Sequence, residues 1–270
     1  MSQFSTVIHT RLWHEEPCAN DPFTPEVCRA SGYDVYGDLL GKVDYIDYLH
    51  LLFTGERPTA LQSSTLKLLA VALANPGPRD PSVHAAMAAG ATGNPCSSSM
   101  IAAIAAGAGS AGGAREVLLA MQAWASCGTD LDAWRAYMAD LPVPRPIFWP
   151  ASGYTPGFAE HGVSCARPVL ILLERLCQMA PTPQLLWLAE NRLALEASAG
   201  IPLAQNGVAA AAFTGIGMTP AMGEMLTLLL RLPGAAAHAL EQSGHSFRKF
   251  PFFELDLQND PRDAAAKESA

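Results

Sequence analysis

Charged residues are scarce in this sequence. They make up 16% of its 270 residues, against 50% hydrophobic residues, and the formal net charge is −8. There is no basic stripe with interleaved aromatic residues, and the acidic balance argues against binding to nucleic acid. So few charges on so apolar a chain favour a protein that buries further surface in an oligomer.

Paired cysteines and long apolar runs are also missing. The six cysteines (18, 28, 96, 127, 165 and 177) form no Cys-x-x-Cys pair, and no histidine spacing suits zinc. We therefore expect no metal site and reduced thiols. No apolar run reaches the length of a membrane span, and the N-terminal residues lack the basic head and apolar run of a signal peptide. These absences predict a cytoplasmic protein without membrane segments.

The stretch 84–124 is built almost wholly from Ala, Gly, Ser, Met and Ile, and it carries no charge between His84 and Arg115. Small residues three and four apart let helix backbones approach closely. The stretch predicts helices over 82–91, 95–108 and 112–125, buried in the core of the domain or at a subunit interface. An Ala-rich surface helix is the alternative, although such helices usually carry charges.

Helical periodicity covers most of the remaining chain, and the fold class is predicted to be all-α, with mostly antiparallel helices around the Ala/Gly-rich core. The N-terminal part contains a possible short strand at 5–11 and a turn-rich stretch at 17–25. A Pro-rich break at 141–156 either divides two lobes or forms an active-site loop. We expect one domain over 1–270, with an N-terminal extension (1–31), a possible small lobe (129–200) and a frayed tail (256–270). Further helices are predicted over 45–53, 60–75, 129–139, 167–179, 183–198, part of 201–217, 221–232 and 235–243.

Five short motifs follow one another along the chain. They are Gly32-Tyr33-Asp34, Tyr48 to Thr59, Gly112-Gly113-Ala114-x-Glu116, Tyr154-x-x-Gly157-Phe158, and Gly234-x-x-x-His238-x-x-Glu241-Gln242 followed by Arg248. Together, and in this order, they resemble the citrate synthase superfamily, and most closely its short citryl-CoA lyase branch. The resemblance implies an α-helical homodimer with small helices packed across the two-fold axis. It also implies a CoA thioester as a substrate and no covalently bound cofactor.

The catalytic positions of that family are substituted here. Its chemistry needs a carboxylate base and two histidines that donate to developing oxyanions. The position of the base falls on Asn206, and the histidine of the loop motif falls on Glu160, with His161 next to it. The other histidine position falls on Ala111, or on Thr92 by the lyase pattern.

One hypothesis is that the roles have moved, so that the protein makes or breaks a carbon–carbon bond next to an acyl-CoA thioester. Glu160 would then be the base, His161 would donate to a carbonyl, and Asn206 would hold the enolate, since an amide donates but cannot abstract a proton. Arg248 and Arg167 would bind a carboxylate or a CoA phosphate. His84, Thr92 and His238 complete the predicted substrate-binding residues.

Other interpretations stay open at this point. The site could have decayed, leaving an inactive dimer that binds CoA or a carboxylate as a regulatory subunit, or a structural helical dimer without any ligand. Asn206 could cap a helix. Glu160 and His161 could be ordinary polar residues of a solvated loop. His84 and His238 could be hydrogen-bonded structural residues, and Arg248 could pair with a surface carboxylate.

Overall fold

The computed structural model describes residues 9–141, 155–159 and 162–245. Within these ranges a small antiparallel sheet precedes a short π-helical turn (Val35–Leu39) and ten α-helices. The sheet has strands β1 (His14–Cys18), β2 (Asp21–Ala30) and β3 (Tyr33–Asp34). The helices are α1 (Tyr45–Thr54), α2 (Ala60–Leu73), α3 (Pro81–Ala91), α4 (Cys96–Gly107), α5 (Ala114–Cys127), α6 (Leu131–Asp140), α7 (Arg167–Met179), α8 (Pro183–Ala199), α9 (Gln205–Gly215) and α10 (Pro220–Ser243).

The helical fold class is confirmed, and the sheet is the part that the sequence pattern misplaced. Residues 17–25, predicted as turn-rich, instead belong mostly to two paired strands that turn at 19–20. Pro17 lies opposite Pro25 at an irregularity of the register, so the missing N–H groups fall where the ladder is already interrupted. Of the strand expected at 5–11, residues 9–11 are not part of a strand and the others lie outside the described residues.

The core lies around α9, in which every residue from Asn206 to Phe213 is buried. Its alanines let α5 and α10 pack close to it, and Met121, Phe213 and Leu226 fill the space between these helices. Of the Ala/Gly-rich helices, α5 is largely buried, whereas α4 leaves Ile101 and Ile104 exposed by 66% and 40%. The most completely buried helix therefore lies after the predicted central stretch.

The single helix α10 replaces the two helices expected at 221–232 and 235–243. Pro233 lies inside it with its side chain exposed. Proline removes one helical hydrogen bond, and the next N–H group, that of Gly234, donates to the carbonyl of Ala74 at 2.7 Å. A Cβ on Gly234 would overlap that carbonyl oxygen. The helix continues because the end of α2 satisfies the freed backbone group.

No described helix combines the length and the apolar character that a membrane span requires. This agrees with the absence of a long apolar run in the sequence.

The N-terminus of α1 offers a test of local stability. Asp44 accepts hydrogen bonds from the N–H groups of Ile46 and Asp47, and Lys67 Nζ lies 2.7 Å from its carboxylate. The hydrogen bond from Lys67, followed by that from the Asp47 N–H, lowers the pKa of Asp44. A lowered folded-state pKa stabilises the protein above the unfolded pKa, about 3.9, and this stabilisation is lost as the pH falls through the folded value.

We therefore expect Asp44→Asn to be less stable than the wild type at pH 7, with a deficit that becomes smaller as the pH falls towards 3. Asp44→Ala, which also removes the cap, should lose about 1 kcal/mol at pH 7. Urea unfolding at both pH values measures this. A deficit of Asp44→Asn that is the same at pH 7 and pH 3 would show that the ion pair does not cause it.

Candidate functional site

A cavity of about 500 Å³ lies where the N-terminal ends of α3, α5 and α9, the middle of α10, the 155–159 segment and Gly162 meet. Its described walls are mostly small apolar residues, among them Ala111, Ala159 and Ala204. The polar side chains that line it are Glu116, Gln205, Asn206 and Arg231. Glu116, Asn206 and Arg231 are buried and contact one another in a chain of hydrogen bonds.

Glu116 is 1% exposed and is bound to three separate segments. Its Oε2 accepts hydrogen bonds from the Gly112 N–H and from Asn206 Nδ2, both at 2.8 Å, and its Oε1 accepts from the Gly157 N–H at 2.8 Å. Charge-assisted bonds of this kind are stronger than neutral ones. The carboxylate therefore joins the turn before α5, the 155–159 segment and the start of α9.

Asn206 is oriented by groups on both sides of its amide. Its Nδ2 donates to Glu116 Oε2 at 2.8 Å and to the Gly113 carbonyl at 3.3 Å, and its Oδ1 accepts from Arg231 at 3.3 Å. Two acceptors face the nitrogen and one donor faces the oxygen, so only this orientation of the amide satisfies all the partners.

Arg231 lies in the middle of α10 and is 7% exposed. It donates to the Gly112 carbonyl at 2.9 Å, and its Nη1 lies 3.6 Å from a carboxylate oxygen of Asp80, the N-cap of α3. Its Nε has no hydrogen-bond partner among the described residues. Because this buried cation lines the cavity, it suits an anionic ligand.

Two glycines bring the 155–159 segment against α9. Gly157 has a φ of +91°, and its carbonyl accepts a hydrogen bond from the Ala204 N–H at 2.9 Å. A Cβ on Gly207 would overlap that same carbonyl oxygen. Phe158 and Leu203 form an isolated antiparallel bridge beside it. This close backbone contact places the Gly157 N–H within reach of Glu116.

The residues predicted for the site fall in different places. Asn206 lines the cavity, whereas Glu160, His161 and Arg248 lie outside the described residues. The others are not among the described lining residues of the cavity, and their roles stay predictions. His84 lies on α3, Thr92 ends it, exposed Arg167 begins α7, and His238 on α10 contacts Asn75 Oδ1 at 3.2 Å and Glu241 Oε2 at 3.4 Å.

Sequence reasoning missed Glu116 and Arg231 as site residues. Glu116 appeared only as part of a motif, and Arg231 was not considered. Arg231 is an isolated charge after a run of leucines, whereas Glu116 directly follows Arg115 and is followed by the apolar residues of a mostly buried helix. Buried charges are rare unless they are paired, so the position of each charge in a predicted buried helix is the signal that could have identified both.

The thiol of Cys165 does not supply a nucleophile to this site. Burial, and secondarily the negative charge of Glu196, raises its pKa, and its Sγ lies 3.5 Å from the carbonyl of Leu203. Burial likewise raises the pKa of Cys177 and Cys127. A thiol with a raised pKa is mostly protonated and unreactive at neutral pH.

We therefore expect iodoacetamide at pH 7.5 to alkylate Cys165, Cys177 and Cys127 at least about 10-fold more slowly in the folded protein than in urea. Mass spectrometry of the peptides gives each rate, and each thiol serves as its own control. Equal rates for Cys165 in both states would contradict the assignment of a buried, protonated thiol.

Over the described ranges, no group of three or more His, Cys, Asp or Glu residues could hold a metal ion.

The sequence matches no protein-family model and no curated protein. The structure is similar to that of citryl-CoA lyase from Hydrogenobacter thermophilus, with a TM-score of 0.70 and 19% identity over 96% of this chain and 100% of that one. It is also similar to ATP citrate lyase from Methanothrix soehngenii in complex with citrate and coenzyme A (TM-score 0.67, 16% identity, 95% of this chain and 43% of that one). A third similar structure is that of an aspartate-to-alanine mutant of Methanosaeta concilii ATP citrate lyase in complex with (3S)-citryl-CoA (TM-score 0.66, 15% identity, 94% of this chain and 42% of that one).

These similarities define a class of fold. The chain has the citrate synthase-like helical fold, as its sequence motifs predicted. The likeness to citryl-CoA lyase extends over the full length of that enzyme, whereas the chain corresponds to less than half of either ATP citrate lyase.

Proposed function

We propose that this protein binds an acyl-CoA thioester and a small carboxylic acid in the cavity, and makes or breaks a carbon–carbon bond next to the thioester. The observation that carries the proposal is the buried chain of Glu116, Asn206 and Arg231 at a cavity of about 500 Å³. The fold that supports this cavity is shared from end to end with a citryl-CoA lyase.

Arg231 is proposed to bind the carboxylate of the acid. It lines the cavity, is 7% exposed, and has an Nε donor without a partner among the described residues. A guanidinium presents paired donors to a carboxylate, and a buried site excludes the water that would otherwise compete.

Glu160 is proposed as the base, since the amide at position 206 cannot abstract a proton. The supporting observation is that Ala159 and Gly162, its neighbours along the chain, both line the cavity. Glu160 would take a proton from the carbon next to the thioester carbonyl, and the electrons left behind would form an enolate. The enolate carbon would then attack a keto group, whose oxygen takes a proton from His161. The cleavage reaction is the reverse of these steps.

Asn206 is proposed to donate to the enolate oxygen. Both of its amide hydrogens are engaged, one with Glu116 at 2.8 Å and one with the Gly113 carbonyl at 3.3 Å. The longer bond is the one that an enolate oxygen would replace, because a neutral carbonyl is the weaker acceptor.

Deuterium uptake into the methyl group of acetyl-CoA in D₂O, followed by NMR, tests enolisation directly. Cleavage of (3S)-citryl-CoA to acetyl-CoA tests the reverse reaction. We expect Glu160→Gln to lower both rates by at least about 100-fold, in the range of general acid–base catalysis. The matched control is Glu26→Gln, on exposed β2. Wild-type rates no higher than those of Glu160→Gln would contradict the proposal.

A second function is favoured by one observation: an amide with both hydrogens engaged occupies the position at which the family has its base. The chain would then be a binding or regulatory subunit without catalysis. CoA or citrate should still raise its melting temperature by mass action, with no exchange or cleavage. A protein that gives neither shift nor turnover has only a structural role.

We also propose that the protein is a homodimer that assembles through the Ala/Gly-rich stretch 84–124. The supporting observation is the uncharged face of α4, on which Ser97, Ile101, Ile104 and Ala105 are exposed. Native mass spectrometry should give a dimer that Ile101→Asp dissociates. Leu193→Asp, at an equally exposed position on α8, should leave it intact. The cytoplasmic location and the division into domains stay predictions.

A further inference from the structure

Residue 206 lies between hydrogen-bond acceptors on one side and a hydrogen-bond donor on the other. On one side Glu116 Oε2 and the Gly113 carbonyl present only acceptors, and on the other side Arg231 presents only donors. An amide is the one side chain of this size that donates in one direction and accepts in the other. A carboxylate here would satisfy Arg231 but would face two acceptors without a proton between them.

We propose that Glu116 is the positioning residue of this site and that it requires the amide at position 206, because a carboxyl group there would share one proton with Glu116. The amide leaves Glu116 as the only carboxylate in this contact. The inference rests on the proposed function. Its test measures protonation and stability, which can be determined equally well for an inactive protein.

Residue 206 and Glu116 are close together and buried. The atom of residue 206 that faces Glu116 lies 2.8 Å from its Oε2, and both residues are at least nine-tenths buried. Two carboxylates this close in a buried site cannot both ionise, so one holds a proton. Arg231 on α10 favours an ionised group at 206, while Asp80 at the start of α3, 3.6 Å from the guanidinium, partly offsets that charge.

The other hydrogen bonds of Glu116 support its role as a positioning residue. The N–H groups of Gly112 and Gly157 hold its carboxylate in place. Because both of its oxygens are fixed by backbone donors, Glu116 cannot turn away from a new carboxyl group without leaving buried N–H groups unpaired. The repulsion is therefore relieved by a proton and not by a change of rotamer.

Four variants test this: Asn206→Asp, Glu116→Gln, the double variant, and Asn20→Asp in the exposed β1–β2 turn as the control. Melting temperatures are measured from pH 5 to pH 8. A carboxyl pKa that is raised on folding destabilises the protein as the pH rises from the unfolded value to the folded one.

We expect Asn206→Asp to lower the melting temperature by about 2 °C at pH 5 and by about 5 °C or more at pH 8. The double variant should abolish this pH dependence, and Asn20→Asp should show none. The infrared spectrum of Asn206→Asp at pH 7 should contain a carboxylic-acid C=O band that the double variant lacks. A deficit that is independent of pH, or equal in the single and double variants, overturns the inference.

Poor folding of a variant does not remove the test. If Asn206→Asp fails to fold while the double variant folds, the repulsion is demonstrated by the rescue. If neither folds, hydrogen exchange of the 155–159 segment in Glu116→Gln decides. Exchange faster than in the wild type supports positioning by Glu116, because a neutral amide oxygen accepts more weakly from the Gly157 N–H than the carboxylate does. Unchanged exchange overturns it. If the wild type catalyses no deuterium uptake into acetyl-CoA, this result contradicts the proposed function and leaves the inference about Glu116 unaffected.

Discussion

Replacing Gly207 with alanine is expected to destabilise the protein by at least about 3 kcal/mol, which is a fall in melting temperature of about 6 °C or more. The added Cβ would overlap the carbonyl oxygen of Gly157 and crowd Leu203 Cδ1 at 2.8 Å. The obstacle is backbone, so no change of rotamer relieves it. The loop would have to move away from α9, and the bond from the Gly157 N–H to Glu116 would be lost with it.

Gly109→Ala is the matched control, because a Cβ at that position meets nothing within 4 Å. It should change stability by no more than about 0.5 kcal/mol. Thermal melting of the three proteins side by side measures both effects. A melting temperature of Gly207→Ala within about 1 °C of that of Gly109→Ala would mean that the loop and α9 are not in contact, since 1 °C corresponds to well under 1 kcal/mol.

Arg231→Met is expected to have the second large effect, on stability and on ligand binding together. It removes the cation from a buried pair with Asp80 and leaves Asn206 Oδ1 and the Gly112 carbonyl without this donor. Breaking a buried pair from one side costs about 3 kcal/mol. If Arg231 also binds the ligand carboxylate, the affinity for citrate should fall about 10- to 100-fold.

Arg115→Met provides the comparison for this variant. Its guanidinium pairs with Glu224 at 3.4 Å, but the side chain is 52% exposed, so its removal should cost less than about 1 kcal/mol. Chemical unfolding and isothermal titration with citrate, at a temperature where both variants are folded, separate the two effects. A destabilised Arg231→Met that binds citrate as tightly as the wild type would remove Arg231 from the ligand site and leave it as a structural residue.

Local signals in the sequence predicted the helices well. The bounds 167–179 were obtained from periodicity alone and agree with α7. Gly55 ends α1 in the left-handed region, with φ +82°, and Thr59 caps α2 in a reciprocal pair with Gln62. These features depend on neighbours within one turn, so the chain expresses them wherever the helix is placed.

Other elements could not be obtained in this way. Pro233 predicted a break between two helices, yet α10 continues because Ala74, far away in the chain, accepts the Gly234 N–H. The strands β1 and β2 contain Pro17 and Pro25, which locally indicate a turn, and only their pairing across the hairpin makes them extended. In each case a partner outside the segment overrides the local preference.

The helical class and the order of the motifs could be read from the printed chain, because periodicity, caps and motif spacing are properties of neighbouring residues. The site could not. Glu116 meets partners 41 and 90 residues away, and Arg231 reaches Gly112 across 119 residues. Hydrogen bonds over such separations exist only once the packing of α5, α9 and α10 has brought the backbones together. Folding therefore brings two charges from separate apolar helices together in the polar wall of a cavity.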